Sequence, residues 1–324
     1  MKVSLSIFNF KPSTRFLFKL TLFLVLLVAI DRIVGLILLE LNSRVHYSYN
    51  WTKENWLLEE RFDVVIFGSS RAFRHYKPSI ISEEVGLSVF NAGQNGQYLL
   101  YAYALEQLVL ERYSPMIIIL DILPSFIAKV DNPQEEHSRL ASLSPYIHNS
   151  AVKKLLVQDN FFEQIKYSSH IFRYNSRILG ILSNMRPPAD RGDNGFECVG
   201  DVRFYDRNPF IVDTLDKVEI DSFKLDIFKS FITSAKEKSI PVIVSFSPVS
   251  SQLSDNVQEL LDFYQTLLRD MDVVFLNFAA PEYADKNLFI DLIHMDSTGA
   301  EIFSRDFGAR LASLCRQSIF VSEL

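Results

Sequence analysis

The sequence predicts an α/β fold with a doubly wound, mostly parallel sheet, an N-terminal transmembrane helix, and a helical and loop insertion. Three observations lead to this prediction. From residue 61 onwards short apolar runs alternate with amphipathic stretches, an apolar run of helical length precedes residue 41, and residues 125–215 break the alternation. Strands that alternate with helices imply right-handed crossovers and a parallel sheet covered on both faces.

The predicted strands are short apolar runs that suit a sheet buried on both faces. They cover residues 63–67, 88–91, 116–120, 241–246 and 273–277. The predicted helices cover residues 97–113, 217–238, 255–269 and 298–315. Thr298 and Glu301 fit a capping box at the start of the last helix. The irregular segment at about 125–215 is interpreted either as an insertion over the carboxyl edge of the sheet or as ordinary surface elaboration.

The N-terminal region predicts a membrane anchor. Residues 16–39 are long enough to cross a bilayer, which needs about 20 apolar helical residues. Asp31 and Arg32 interrupt the run, and we expect them near the outer interface or paired with a polar group of a partner. The basic residues that favour a cytoplasmic N-terminus are Lys2, Lys11, Arg15 and Lys19.

These features predict three regions. Residues 1–41 are a cytoplasmic tip and an uncleaved signal anchor, because no small-residue cleavage site follows the apolar run. Residues 42–60 are a juxtamembrane linker, and residues 61–324 are a domain outside the cytoplasm that includes the insertion.

Composition limits the class of protein. The 324 residues are 48% hydrophobic and 22% charged, which suits a large folded domain. The net charge of −6 argues against nucleic-acid binding, which favours a basic surface. Cys198 and Cys315 form no motif with zinc-ligand spacing, so we expect no metal site. They either form one disulfide or stay free.

A serine follows the first predicted strand. Gly68-Ser69-Ser70-Arg71 comes directly after residues 63–67. A side chain at a strand-to-helix turn projects into the crevice at the carboxyl edge of the sheet. By itself the motif fits a nucleophile, but it also fits a simple turn or helix cap.

Two further motifs follow the second and the last predicted strands. The loop 91–96 (NAGQNG) has two glycines, which let the backbone approach a ligand and stabilise an oxyanion. It lacks the dinucleotide fingerprint, and we expect no cofactor. Asp291 and His294 are three residues apart, a spacing that lets the carboxylate orient an imidazole base. Because all three motifs end at the same sheet edge, we expect them to meet in one cleft.

This order of motifs resembles the SGNH/GDSL hydrolase family over residues 61–317, apart from the insertion. The resemblance implies a flavodoxin-like three-layer α/β/α fold. It also implies a triad of Ser70 as nucleophile, His294 as base and Asp291 as its orienting carboxylate. The N–H groups of Ser70 and Gly96 would then form the oxyanion hole.

The anchor and the motifs are most similar to the membrane-anchored branch of that family. This branch contains the teichoic-acid D-alanylation and alginate acetylation proteins. The similarity implies acyl transfer to or from a cell-envelope glycan, alongside a membrane-bound O-acyltransferase. Candidate substrate contacts are Arg71, Tyr98 and Asp121. A helix start is the favoured explanation for Arg71, and core packing for Tyr98 and a cap for Asp121 stay open.

Two departures from the family pattern leave other functions open. The first block reads Gly-Ser-Ser-Arg instead of Gly-Asp-Ser-Leu, and the block after the third strand starts at Asp121 without the family's asparagine donor. Losing one oxyanion donor costs about 2.7–4 kcal/mol in a well-studied protease. One alternative is therefore a non-catalytic partner of an O-acyltransferase. Another is an esterase that acts on lipids.

Overall fold

The computed structural model describes residues 12–45, 53–130, 132–158, 160–183, 192–197, 219–250, 253–279, 283 and 285–317. Within this part of the chain the strands form one parallel sheet in the order β2-β1-β3-β4-β5. Their bounds are β1 (Val64–Phe67), β2 (Val89–Asn91), β3 (Ile117–Asp121), β4 (Val242–Phe246) and β5 (Val274–Asn277). This is the flavodoxin-like order, so the predicted doubly wound α/β fold is confirmed.

Helices surround the sheet and continue into the N-terminal segment and the insertion. Their bounds are α1 (Pro12–Ser43), α2 (Lys53–Glu59), α3 (Ser70–His75), α4 (Pro78–Val85), α5 (Leu99–Arg112), α6 (Pro133–Arg139), α7 (Ser150–Val157), α8 (Phe161–Ser168), α9 (Ile178–Ser183), α10 (Ser222–Lys236), α11 (Asp255–Asp270) and α12 (Ser297–Arg316). Short 3-10 turns lie at Pro124–Phe126, Leu140–Tyr146, Phe172–Tyr174 and Lys286–Leu288.

The sheet is the middle of three layers. Successive side chains of a strand point to opposite faces. In β1, Val64 and Ile66 join the core beneath α4 and α12, whereas Val65 and Phe67 join the core beneath α5, α10 and α11. All four side chains are fully buried, which explains why this run lacks the polar alternation of a one-sided sheet.

The cap of the last helix differs from the prediction. α12 begins at Ser297, and the side chain of Asp296 accepts a hydrogen bond from the Gly299 N–H at 2.8 Å. The predicted box of Thr298 and Glu301 is therefore wrong by two residues. Asp296 is as good an N-cap as threonine and lies where the chain leaves the preceding loop.

Part of the predicted linker belongs to the folded domain. In α2, Trp56 and Leu57 are buried in the main core, and Glu54 accepts a hydrogen bond from Tyr101 at 2.8 Å. Residues 53–59 are therefore not a linker, because the apolar and charged partners that bury them lie in the domain. Tyr47, Tyr49 and Trp51 of the predicted linker lie outside the described residues.

The N-terminal helix α1 is long and apolar enough to cross a membrane, judged by its length and composition. Its charged pair is satisfied inside the chain. Asp31 accepts hydrogen bonds from the Ser169 hydroxyl and from the His170 and Ile171 N–H groups, at 2.5, 2.9 and 3.1 Å. Arg32 donates to the Ser168 carbonyl at 2.8 Å. The expectation of a separate protein partner for this pair is thus replaced by contacts with the insertion.

Candidate active site

Ser70 lies where the chain turns from β1 into α3. The Ser69 hydroxyl caps this helix by accepting a hydrogen bond from the Arg71 N–H at 3.2 Å. Ser70 is thereby fixed as the first residue of α3, at the carboxyl edge of the sheet. The direction of the connections reverses between β1 and β3, and ligands of such sheets bind at this switch point.

The structure brings Ser70, His294 and Asp291 into one continuous chain of contacts. The Ser70 Oγ lies 2.7 Å from Nε2 of His294. The Nδ1 of the same ring lies 2.7 Å from Oδ2 of Asp291. Nδ1 donates its proton to the carboxylate, which leaves Nε2 as an acceptor for the serine hydroxyl. This geometry suits the removal of a proton from Ser70.

The electrostatics of the pair keep the histidine neutral and the carboxylate charged. Burial lowers the pKa of His294 and outweighs the opposing contact with Asp291, while Arg74 and Arg71 lower it further. Burial raises the pKa of Asp291, but hydrogen bonds from His294 and from the Ile293 N–H bring it below its usual value. A neutral imidazole beside an ionised carboxylate is the starting state that a general base requires.

The loop between β5 and α12 is held rigidly around His294. Asp291 also accepts the N–H groups of Ile293 and His294, at 2.9 and 2.8 Å. The Ile290 N–H donates to the His294 carbonyl at 2.9 Å, and the Ser250 N–H donates to the Leu292 carbonyl at 3.0 Å. The spacing of three residues therefore closes a compact turn that fixes the ring, as the sequence predicted.

The glycine loop packs closely against α3. A side chain at Gly93 would place its Cβ 2.5 Å from the Phe73 N and 2.6 Å from the Ala72 Cβ, so only glycine fits. Gly96 has φ +66°, in the left-handed region that favours glycine. Its carbonyl accepts a hydrogen bond from Arg139 of α6, so the insertion reaches the carboxyl edge of the sheet.

Lys53 of α2 is a support that sequence reasoning missed. Its Nζ is buried and donates to the carbonyls of Gly93 and Asn91, at 2.7 and 3.2 Å. The ammonium group also lies 3.9 Å from the centre of the Phe73 ring. The contact of Lys53 with the glycine loop was not predicted, because residues 42–60 were interpreted as a linker outside the domain. The signal available was the apolar Trp56-Leu57-Leu58 run beside it, which needs a core to pack against.

Backbone donors are available for an oxyanion. Within the described residues, no acceptor takes a hydrogen bond from the N–H groups of Ser70 or Gly96. The α3 terminus adds a partial positive charge at Ser70. The role of these two N–H groups as an oxyanion hole stays a prediction.

Two predicted substrate contacts are instead buried supports. Arg71 is 1% exposed and Asp121 is fully buried. Arg71 donates to the Ser247 carbonyl and lies 4.3 Å from the centre of the Phe246 ring. The prediction that Arg71 and Asp121 contact substrate is wrong, because their neighbours in the sheet and in α3 cover them.

Asp121 organises a buried polar cluster behind the serine. It accepts hydrogen bonds from the Tyr76 hydroxyl and the Ser247 N–H, both at 2.9 Å, and from the Ser247 hydroxyl at 3.1 Å. Burial raises the pKa of Asp121, and the charge of Arg71 opposes that rise. Ser247 directly follows a predicted strand at the edge that carries Ser70. Its position could have identified it from the sequence.

The remaining candidates are placed as follows. Tyr98 is half-buried, and its ring centre lies 5.4 Å from the guanidinium carbon Cζ of Arg139. The role of Tyr98 as a substrate contact stays a prediction. Cys315 is a free thiol, whereas Cys198 lies outside the described residues. Among the residues with described positions, no group of three or more His, Cys, Asp or Glu side chains is arranged to hold a metal ion.

Comparisons with known proteins give no family by sequence. No family model and no curated protein matches the chain. A solved structure of a lipolytic protein of the G-D-S-L family from Desulfitobacterium hafniense is 10% identical, with a TM-score of 0.41, and the match covers 76% of this chain and 98% of that one. A carbohydrate acetylesterase family member from Sinorhizobium meliloti is 11% identical, with a TM-score of 0.34, over 79% of this chain and 98% of that one. At these low values, we assign the fold and the site from the coordinates of this chain alone.

Proposed function

We propose that this protein is a membrane-anchored serine enzyme that hydrolyses acyl esters, or transfers acyl groups such as acetyl, on a cell-envelope glycan outside the cytoplasm. The observation that carries the proposal is the contact chain from Ser70 through His294 to Asp291, with 2.7 Å at each step. A serine hydroxyl is a weak nucleophile, and a positioned base makes it reactive near neutral pH.

Acylation uses the groups of this chain alone. His294 Nε2 takes the Ser70 proton as Oγ attacks the ester carbonyl carbon. The tetrahedral oxyanion lies against the N–H groups of Ser70 and Gly96. Asp291 stabilises the imidazolium that has formed. Collapse then breaks the bond to the alcohol oxygen, and the imidazolium gives its proton to that leaving group, which leaves an acyl-serine.

Deacylation repeats these steps with a different nucleophile. His294 deprotonates the incoming hydroxyl, which attacks the acyl carbon, and the proton returns to Ser70. Water as the nucleophile gives a free acid, and a sugar hydroxyl gives a new ester. Both outcomes share one covalent intermediate, so the acceptor alone separates an esterase from a transferase.

Location and substrate class rest on the charge pattern around the anchor and on the resemblance of the motifs. Basic residues precede the apolar helix, which favours a cytoplasmic N-terminus and a catalytic domain on the other side. The anchor and the three motifs resemble membrane-anchored proteins that acylate envelope glycans. A membrane-bound O-acyltransferase would supply acyl groups from the cytoplasmic side, where activated acyl donors are made.

Labelling with a fluorophosphonate probe tests the catalytic proposal on the full-length protein. We expect covalent labelling of the native chain and its loss in Ser70→Ala and His294→Ala. Ser114→Ala and His148→Ala are matched controls, because both side chains are exposed and neither belongs to the site. Labelling that persists in Ser70→Ala, or is absent from folded native protein, would overturn the proposal.

A non-catalytic docking partner of an O-acyltransferase is the second candidate. The observation that favours it is the third block, which starts at the buried Asp121 and lacks the asparagine donor of the family that the sequence resembles. The same probe separates the two functions. A folded protein that takes no label and still binds the acyltransferase would support the docking function.

The acyl chain and the acceptor are tested together. We expect faster hydrolysis of acetyl esters than of long-chain esters, and transfer of acetyl to an added envelope glycan. Faster turnover of long-chain esters would instead support an esterase that acts on membrane lipids. Ser70→Ala is the blank for every substrate.

A further inference from the structure

The charged pair in α1 lies well inside the apolar surface of that helix. Exposed apolar side chains continue beyond Asp31 on α1, at Ile33 (59% exposed) and Leu39 (50% exposed). With a rise of 1.5 Å per residue, Asp31 lies about 12 Å along the helix from Leu39. If lipid covers this apolar surface, then Asp31 and Arg32 lie below the outer boundary of the hydrocarbon.

The insertion reaches the same depth. Asp31 takes its hydrogen bonds from Ser169, His170 and Ile171, and Arg32 gives its own to Ser168. Next to this contact, a Cβ at Gly35 would lie 2.2 Å from the His170 Cβ, so the two segments touch closely. Backbone that satisfies a charge inside the bilayer must itself lie at that level.

The outward surface of the insertion is apolar. Phe161, Phe162 and Ile165 of α8 are 66%, 71% and 53% exposed. Leu179 and Leu182 of α9 are 83% and 57% exposed. We call residues 161–183, which include α8, α9 and these five side chains, the apolar tip. Clusters of large apolar side chains on a surface mark sites of contact with lipid or protein.

The apolar tip is continuous with α1. Ile181 of α9 and Leu38 of α1 are buried in one small cluster with Tyr174 and Val45. The opposite edge of α8 is polar, with Glu163 and Lys166 paired at 2.6 Å. An apolar face beside a charged face is the pattern of a helix that lies in a membrane interface.

We propose that the apolar tip, residues 161–183, is embedded in the outer leaflet of the membrane beside α1. The proposal rests on the proposed anchoring by α1. It commits to lipid as the occupant, because α1 beside the tip carries exposed apolar side chains from Phe16 to Leu39. The domain is then held at two points, so the Ser70 site keeps a fixed height and orientation above the bilayer.

Depth-dependent fluorescence quenching tests this proposal. The full-length chain, with Cys198→Ala and Cys315→Ala, is reconstituted in phosphatidylcholine–phosphatidylglycerol liposomes. Single cysteines at Phe162→Cys and Leu179→Cys carry an environment-sensitive dye. Val25→Cys in α1 is the positive control. Ile302→Cys is the matched negative control, because it is an exposed apolar residue (48%) on α12.

We expect lipids with a nitroxide near the headgroup to quench the dyes at positions 162 and 179 severalfold more than the dye at position 302. Lipids with a nitroxide deep in the acyl chain should quench the dye at position 25. Quenching at both positions no stronger than at 302, with strong quenching at 25, would overturn the proposal. The dyes at positions 162 and 179 could instead show an emission shift that grows with the protein-to-lipid ratio, without nitroxide quenching. That result would mean that the apolar tip binds a second copy of the chain, and it would also overturn the proposal. Absent quenching at 25 would remove the anchoring on which it rests.

The probe reaction at Ser70 on the same liposomes separates this outcome from the proposed function. Quenching with no probe labelling would reject the enzyme and keep the membrane contact. Labelling without quenching at positions 162 and 179 would do the reverse. Labelling of each cysteine variant also shows that the domain is folded.

Discussion

The backbone N–H of Met295 donates a hydrogen bond to Nε2 of His75 over 3.1 Å. Because Nε2 accepts, the ring carries its proton on Nδ1, which donates to the Ser247 hydroxyl at 3.1 Å. Burial, and then the charge of Arg71, hold the pKa of His75 well below its usual value. A second, neutral histidine therefore fixes the residue that follows the proposed base.

Truncation of His75 should reduce turnover without removing a catalytic group. His75→Ala leaves the Met295 N–H and the Ser247 hydroxyl without their partner, so the loop that carries His294 moves. We expect kcat to fall between about 10- and 100-fold, because small displacements of a catalytic group have effects of this size. The expected KM is nearly unchanged, since His75 is fully buried.

Rescue by glutamine distinguishes positioning from simple loss of structure. The side-chain oxygen of His75→Gln can accept the Met295 N–H and should restore part of kcat. Equal kcat values for the alanine and glutamine variants would contradict the positioning role.

The pH dependence of kcat/KM should follow His294. Only the neutral imidazole can accept the Ser70 proton, and burial lowers the pKa of this ring below 6.5. Activity is therefore expected at neutral pH, and it should fall as the pH drops through the lowered pKa. An acidic limb with its midpoint above 6.5, measured on a soluble acetyl ester, would contradict this assignment.

Asp121 should matter more to stability than its partner Tyr76. Asp121→Ala leaves the buried Arg71 without its counter-charge and removes three accepted hydrogen bonds. We expect the free energy of unfolding to fall by about 3–5 kcal/mol, because the buried donors of Tyr76 and Ser247 lose their acceptor at about 1–3 kcal/mol each. Tyr76→Phe removes the hydrogen bond to Asp121 and the contact with the Ser245 hydroxyl at 2.8 Å, and should cost about 1.5–3 kcal/mol. Urea unfolding in detergent ranks the two, and a larger loss for Tyr76→Phe would contradict this.

Local sequence patterns predicted most of the strands and helices correctly. The five strands are buried on both faces or flanked by helices, so each appears in the sequence as a short apolar run. Their predicted first and last residues differ from the observed ones by one residue at most. The α10 start is less accurate, at residue 222 against the predicted 217, because Asp221 caps the helix through the Phe223 and Lys224 N–H groups. A cap depends on one side chain, which the apolar spacing does not encode.

The sequence predicted only those residues of the site that follow the ends of strands. Ser70, Asp291 and His294 follow strand ends, and parallel topology brings such ends together. Lys53 and His75 support the site from segments whose local sequence indicates a linker and a surface helix. Their roles depend on long-range packing, with Lys53 reaching carbonyls 38 and 40 positions away.

Lys53 should stabilise the loop that carries Gly96. Lys53→Met keeps the length and the apolar stem of the side chain but leaves the carbonyls of Asn91 and Gly93 without a donor. Each unsatisfied buried group costs about 1–3 kcal/mol. We expect a lower urea midpoint and a lower kcat. Lys77→Met is the control, since Lys77 pairs with the exposed Glu301 on the surface. Equal stability of the two variants would contradict the assignment.

A buried cluster around Arg177 of the insertion joins it to α1 and α2. Arg177 lies 3.1 Å from Glu54 and donates to Asn42, near the end of α1, at 3.2 Å. Both charged side chains are almost fully buried, at 2% and 4% exposure. Arg177→Met therefore leaves the Glu54 carboxylate without its charge partner, which should lower the free energy of unfolding by about 3–5 kcal/mol.

The exposed pair of Arg44 and Glu40 is the matched control for this junction. These side chains are 2.7 Å apart but 71% and 62% exposed, and water screens them, so Arg44→Met should cost below about 1 kcal/mol. The double variant Glu54→Gln/Arg177→Met should recover part of the loss, because no buried charge remains without a partner. If Arg177→Met were no less stable than Arg44→Met, the contact between anchor and insertion would be peripheral, and α1 would be free to move relative to the catalytic domain.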